Sequence, residues 1–413
     1  MALLIRNIQQ LVGVQDPNVP LRNKGLSVLP QRSNAYLIVE AGKIAGLGTM
    51  DSLPADPAQF DAIFEADQYQ VLPTWCDSHT HLVFAATREE EFVDKILGLS
   101  YAEIAAKGGG ILNSARKLQE TSEDELYELA WKRLQAAIRL GTGAIEIKSG
   151  YGLTVEAELK MLRVIKRLKL HSPIPIKASF LGAHAYPIEY RSDHDGYIRS
   201  ILEEMLPQIA AQGLADYIDV FCEDGFFNPA ETDRLLKAGA VHGLTPKIHA
   251  NQLGVSGGVE EGVSNAARSV DHLEYMDEGS INCLSGSSTI GTLLPSCALF
   301  LRSPYPPARK LIESGAAISI ASDYNPGSSP SFNMNLVVAL ACSQMRMLPE
   351  EAINAATIQG AFAMDLQKEV GSIAVGKRAN LIFTKPMNNL AYLPYSFGEN
   401  PVQRVMINGV FLD

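Results

Sequence analysis

Eight short apolar runs, each followed by a stretch with helical spacing, constrain this chain more than any other feature. In order they are LPTWCDSH, AIEIKSG, PIKASFLGA, YIDVFCEDG, PKIHANQ, SVDHLEYM, GTLLPS and AISIASD. Strand and helix signals in alternation are the pattern of βα units, because a parallel strand can be reached only through a crossover connection. Eight units within about 300 residues favour an α/β fold of the TIM type, a closed (β/α)8 barrel, over an open doubly wound sheet. No GxGxxG follows an early strand, which argues against a dinucleotide fold.

One crossover helix is predicted from Glu123 to Leu140, with Ser122 and Glu125 as a capping pair and Gly141 as its stop. Another opens at Asn228-Pro229 and closes at Gly243. The glycine run Gly108 to Gly110 reads as a loop. The texture differs at the two ends: LLIRNI, AYLIVEAGKIAGLG, VGSIAVGKRANLIFT and PVQRVMINGVFLD are short period-two runs around turns, Asn408-Gly409 being a strong hairpin signal. Residues 1–65 and 366–413 are therefore expected to build one small β-sandwich domain together, flanking a barrel over 66–365.

The net charge of −11 is spread among interspersed acidic and basic residues, which excludes nucleic acid and anionic membranes as expected partners and favours a small-molecule substrate. The five cysteines show no CxxC spacing, so neither a disulfide framework nor a thiolate zinc cluster is expected. No apolar run reaches the roughly 18 residues of a membrane span. A cytoplasmic location follows as an expectation.

His79 and His81 end the first run, and i, i+2 spacing on an extended segment points both imidazoles the same way. An isolated HxH is more often structural than a ligand pair. Here His249 ends the fifth run, His272 the sixth and Asp323 the eighth, all at the C-terminal rim where barrel active sites form. Three neutral nitrogens and one carboxylate, from His79, His81, His249 and Asp323, suit a Zn or Fe ion that keeps an open position for water. His184, ending the third run, belongs to the same rim. His171, His194 and His242 are assigned to structure or solvent.

These positions, HTH on the first strand, a lone His on the fifth, DH on the sixth and SD on the eighth, resemble the amidohydrolase superfamily. DSHTHLVFAATREEEF, EIKSGYGL, FLGAHAYP, DHLEYM and SDYNPGSSP, in this order, resemble more narrowly its imidazolonepropionase family, from about residue 65 to the C-terminus. The resemblance implies a metal-dependent hydrolase of histidine degradation that opens 4-imidazolone-5-propanoate to N-formimino-L-glutamate, with one Zn or Fe ion per subunit and, by analogy, a homodimer.

Carried over by position, the metal ligands fall on His79, His81, His249 and Asp323. Substrate contacts fall on Arg88, Tyr101, Tyr151, His184, Gln252, Asn325, Gly327 and Ser328, and His272 also lines the pocket. The chain departs from the family's pattern at Asn251, where an acidic residue is usual, and has Gln at 252, which cannot act as a general base. Proton transfer is then expected to rest on Asp323 and His272, with His184 donating a hydrogen bond to the scissile carbonyl.

Arg88 is the expected clamp for the propanoate carboxylate, because a guanidinium offers two parallel donors. The competing reading pairs it with Glu89, Glu90 or Glu91 at the surface. Lys148 lies on the second strand, and the fourth offers Glu223 and Asp224 but no lysine, so a single metal is expected and Lys148 reads as a salt-bridged structural residue. Two functional alternatives remain from the residues: a deaminase or cyclic-amide hydrolase acting on another heterocycle, and a barrel that binds a ligand without turning it over.

Overall fold

The protein is described by a computed structural model covering residues 2–412, apart from 54–55, 57–58, 100–102, 104–106 and 108. Strands β1 (Ala2–Val12), β2 (Gln31–Glu40), β3 (Lys43–Thr49), β4 (Ala62–Glu65) and β5 (Gln70–Pro73) come first. They are followed by β6 (Trp75–Asp77), β7 (Thr142–Lys148), β8 (Ile176–Ala183), β9 (Tyr217–Cys222), β10 (Thr245–Ala250), β11 (Ser269–His272), β12 (Ile290–Leu293) and β13 (Ala317–Ile320). The chain finishes with β14 (Leu381–Thr384), β15 (Val402–Ile407) and β16 (Val410–Phe411).

Strands β6 to β13 pair in parallel, each with its sequence neighbour, and each overlaps one of the eight apolar runs. Every residue of β7 and β9 is buried, as expected of strands covered by side chains on one face and helices on the other. The cylinder closes at its mouth rather than along whole strands. His81 N–H donates to the Tyr324 carbonyl at 2.9 Å and Asp323 N–H to the His79 carbonyl at 3.0 Å. The two segments that carry three of the predicted ligands are thus stitched directly to each other.

The crossover helices follow their caps. The helix Glu123–Arg139 starts where Ser122 Oγ accepts the Glu125 N–H and ends before Gly141, whose φ of +100° favours glycine. In Pro229–Val241 the capping box is reciprocal: Asn228 Oδ1 accepts the Glu231 N–H at 3.0 Å, and Glu231 Oε2 accepts the Asn228 N–H at 2.8 Å. The glycine run departs from expectation. Gly108 lies outside the described residues, whereas Gly109 and Gly110 open the helix Gly110–Glu120, held by a 2.9 Å bond from the Gly110 N–H to Glu91 Oε1.

Both chain ends contribute to one mixed sheet. Strand β1 runs antiparallel to β2 and parallel to β4 and β5, and the antiparallel pair β5–β14 joins the N-terminal strands to the C-terminal ones. The Asn408-Gly409 hairpin forms, with φ of 49° and 77° at the two turn residues and Ile407 opposite Val410. This sheet has its own apolar core, including Ile5, Leu37, Val71 and Phe383.

Candidate metal centre and substrate cavity

His79 and His81 lie just past the end of β6, His249 on β10, His272 at the end of β11 and Asp323 just past β13. Asp271 and His272 are adjacent, so a regular strand would send their side chains to opposite faces. A φ of +90° at His272 breaks that alternation. Both side chains then reach His79: Asp271 Oδ2 lies 2.7 Å from His79 Nδ1, and the His272 and His79 rings are 5.6 Å apart. Asp323 also occupies the left-handed region, at φ +52°. Such conformations persist only where the surrounding structure enforces them.

His79, His81 and Asp323 offer donor atoms within 4.8 Å of one another, and His249 adjoins this trio, grouping with His79 and His272. His79 Nε2 lies 3.4 Å and His81 Nε2 3.6 Å from Asp323 Oδ1, and His249 Nε2 lies 3.5 Å from His81 Nε2. Metal–ligand bonds of about 2.0–2.1 Å at tetrahedral angles put ligand atoms roughly 3.4 Å apart. The protonation chemistry agrees with the spacing. The Nδ1 atoms of His79 and His249 meet the carboxylates of Asp271 and Asp219, so those nitrogens carry the protons and the Nε2 lone pairs are free. His79 Nε2 is buried without a hydrogen-bond partner. Burial, with Lys148 and the neighbouring imidazoles, holds His79 and His249 well below the ordinary histidine pKa, and burial with His184 does the same for His81. Neutral and close together, with His79 Nε2 lacking any hydrogen-bond partner, these nitrogens fit a bound cation.

Apart from Lys148, sequence reasoning missed the layer beneath. Asp219 Oδ1 accepts from His249 Nδ1 at 2.9 Å, and Glu146, Lys148 and Lys247 fill the barrel interior below, all fully buried. A signal was present: Asp219 interrupts an otherwise apolar strand, and Lys247 stands two residues before His249 on the same strand face. Glu223 is a second omission. Its Oε1 accepts the Gln252 N–H at 2.5 Å and the Leu253 N–H at 3.3 Å, fixing the loop after β10, and burial pushes its carboxyl up to about 7.

A cavity of about 650 Å³ opens above the donors, lined by Arg88, Tyr151, His184, Gln252, Asn325, Gly327 and Ser328 among others. Arg88 turns inward. Its Nε donates to Ser114 Oγ at 2.8 Å, and Glu91, at 3.9 Å, is beyond hydrogen-bond reach. Arg88 Nη2 is buried without a partner. Gly327 packs closely beside it: a Cβ there would sit 2.5 Å from Arg88 Nη1, so the guanidinium would have to move. Gly327→Ala is expected to displace the guanidinium and raise KM at least tenfold with little change in kcat, read from steady-state kinetics.

Contacts within the fold bear on the roles expected of His184, Asn325 and Gln252. His184 Nδ1 lies 3.0 Å from the Gly150 carbonyl, which can only accept, and burial lowers the imidazole to about 4. The neutral ring therefore presents Nε2 as an acceptor and cannot donate to a substrate carbonyl. Asn325 lines the cavity, but its amide is spent on its own turn, donating to the Asp323 carbonyl at 2.7 Å and accepting from the Gly327 and Ser328 N–H groups at 2.8 and 2.7 Å. Gln252 Nε2 meets Cys297 Sγ at 3.5 Å.

Tyr151 stands 5.5 Å from the His184 ring and 5.7 Å from that of His81, while Tyr101 lies outside the described residues. His272 Nδ1 is 3.4 Å from Glu274 Oε1; burial pulls its pKa down, and the Glu274 carboxylate outweighs that and leaves it raised. Burial drives the Asp323 carboxyl up to about 6 in the ion-free protein. The remaining histidines lie elsewhere: His171 ends the helix Val155–His171, His194 stacks on Tyr186 at 3.6 Å, and His242 caps the helix Pro229–Val241.

Comparison with known proteins agrees with this geometry. Residues 70–412 match the Amidohydrolase family. The chain is 54% identical over 410 residues, 99% of each chain, to the imidazolonepropionase of Christiangramia forsetii, and 54% identical over 410 residues, again 99% of each, to that of Flavobacterium johnsoniae. A zinc-bound adenosine deaminase from Xanthomonas campestris shares the fold, with a TM-score of 0.65 at 17% identity over 99% of this chain and 92% of that one. The chain belongs to the amidohydrolase family and, within it, to the imidazolonepropionases.

Proposed function

We propose that this chain hydrolyses the ring amide of 4-imidazolone-5-propanoate to N-formimino-L-glutamate, with one Zn or Fe ion per subunit held by His79, His81, His249 and Asp323. The bound ion supplies acidification of a water to a pKa of about 7 and polarisation of the scissile carbonyl. The chain's own residues do the rest. Arg88 takes the propanoate carboxylate through its unpartnered edge, Tyr151 walls the ring, and His184 Nε2 accepts from a ring N–H. As the water oxygen bonds to the carbonyl carbon, Asp323 takes the water proton and delivers it to the ring nitrogen whose C–N bond breaks. His272, held against Glu274, keeps that relay in line.

The observation that carries this reading is a cavity lined by Arg88, whose buried Nη2 has no partner, and by Tyr151 and His184, whose rings stand 5.7 and 5.3 Å from that of the proposed ligand His81. Residues 66–365 form the catalytic unit in this proposal, and 1–65 with 366–413 the small β unit. A cytosolic homodimer is part of the same reading: all five cysteines are unpaired, and Tyr395 and Phe397 are 80% and 73% exposed. Light scattering tests the dimer.

Metal-replete protein given 4-imidazolone-5-propanoate is expected to yield formiminoglutamate. A parallel panel of aminated heterocycles is expected to release no ammonia, since Gln252 offers no acid for deamination. Ammonia release from the panel without formiminoglutamate would replace this reading with a deaminase.

A further inference from the structure

Five charged side chains under the metal-ligating rim have no part in the chemistry proposed above. They are Glu146 and Lys148 on β7, Asp219 on β9, Lys247 on β10 and Asp271 on β11, all buried. They form one connected set. Lys148 Nζ donates to Glu146 Oε1 and to Asp219 Oδ2, both at 2.6 Å, and lies 3.5 Å from Asp271 Oδ2. Lys247 pairs with Glu146 and lies 3.4 Å from the Ser78 and Ala363 carbonyls.

Two of these carboxylates also hold imidazoles, Asp219 that of His249 at 2.9 Å and Asp271 that of His79 at 2.7 Å. Their like charges repel inside a medium of low dielectric, and what stands between them is the Lys148 ammonium. Among the described residues it is the one cation recorded within 4 Å of both, while Lys247 acts on each from farther away. The rings they hold have centroids 4.5 Å apart. Moving either carboxylate would turn a ring or release its Nδ1 proton, so the spacing of two ligand nitrogens depends on one ammonium.

We propose that Lys148 is a positioning residue of the metal centre: by clamping Asp219 and Asp271 together it fixes the tautomer and tilt of His249 and His79 at once. This rests on reading the rim cluster as a metal centre. A lysine that merely filled the core would influence folding stability and leave the ion's affinity for folded protein alone. A clamp predicts the reverse emphasis.

The test compares full-length wild type with Lys148→Met, a replacement of similar length without the charge. Two quantities are read: apparent Zn affinity by competition with a chromophoric chelator, and the thermal midpoint of ion-free protein. Lys148→Met is expected to weaken Zn binding about 10–100-fold, the usual scale for losing a residue that orients a ligand. Asp219→Asn is expected to do the same, and the double variant to be no more than a few-fold worse than the weaker single one, because both act through one link. Unchanged or tighter Zn binding by folded Lys148→Met, or effects that multiply in the double variant, would overturn the proposal. Should Lys148→Met fail to fold, Asp219→Asn and Asp271→Asn serve instead: a double effect smaller than the product of the singles is expected, and a full product contradicts the clamp. Failure of the wild type itself to bind Zn would sink the metal-centre reading instead.

Discussion

Asp323→Asn lowers kcat for 4-imidazolone-5-propanoate by about 10²–10⁴-fold, the range that a positioned acid–base group contributes. Asparagine preserves the shape and can still offer a carbonyl oxygen 3.4 Å from His79 Nε2, but it cannot take up a proton. Because the residue is also a proposed ligand, the variant must be assayed at measured metal content. Loss of turnover at full ion occupancy assigns the defect to proton transfer. Activity within threefold of wild type at full occupancy would move the relay elsewhere, to a neighbouring side chain such as His272.

Arg88→Ala has its expected effect on the other kinetic parameter. Removing one partner of a buried, hydrogen-bonded charge pair costs about 2–4 kcal/mol, equivalent to roughly 30- to 1000-fold in KM, with kcat nearly unchanged because the propanoate lies away from the reacting carbon. Arg88→Lys should fall between, restoring the charge without the planar fork. An equal loss in kcat would mean that the guanidinium contacts the reacting ring. The clamp is supported by its setting: Arg88 is anchored by Ser114, lies against Gly327 and is only 13% exposed at its side chain, and its 3.9 Å pair with Glu91 is long and largely buried.

The barrel was legible because its signal is local and repeated. Eight apolar runs with helical spacers admit few arrangements, and HxH or SD at the end of a run marks the rim without knowledge of any contact. What escaped was relational. Nothing near Asp271 in the chain announces that it holds His79, 192 residues away, or near Asp219 that it holds His249, 30 residues on. Lys148 was recognised as salt-bridged, but its shared partners depend on three strands meeting in a cylinder.

The tautomer of His184 escaped for a similar reason. Which ring nitrogen carries the proton is decided by the carbonyl of Gly150, a contact that only the folded chain creates. Asn325 was found at the cavity as expected, yet the turn it stabilises consumes the amide that a substrate would use.

The most direct test of a single ion held by His79, His81, His249 and Asp323 is elemental analysis of active protein before and after chelation, paired with turnover of 4-imidazolone-5-propanoate. The account predicts about one Zn or Fe per chain, activity lost in proportion to ion removed, and recovery on adding back one equivalent. Full turnover by chelated protein without measurable metal would contradict it.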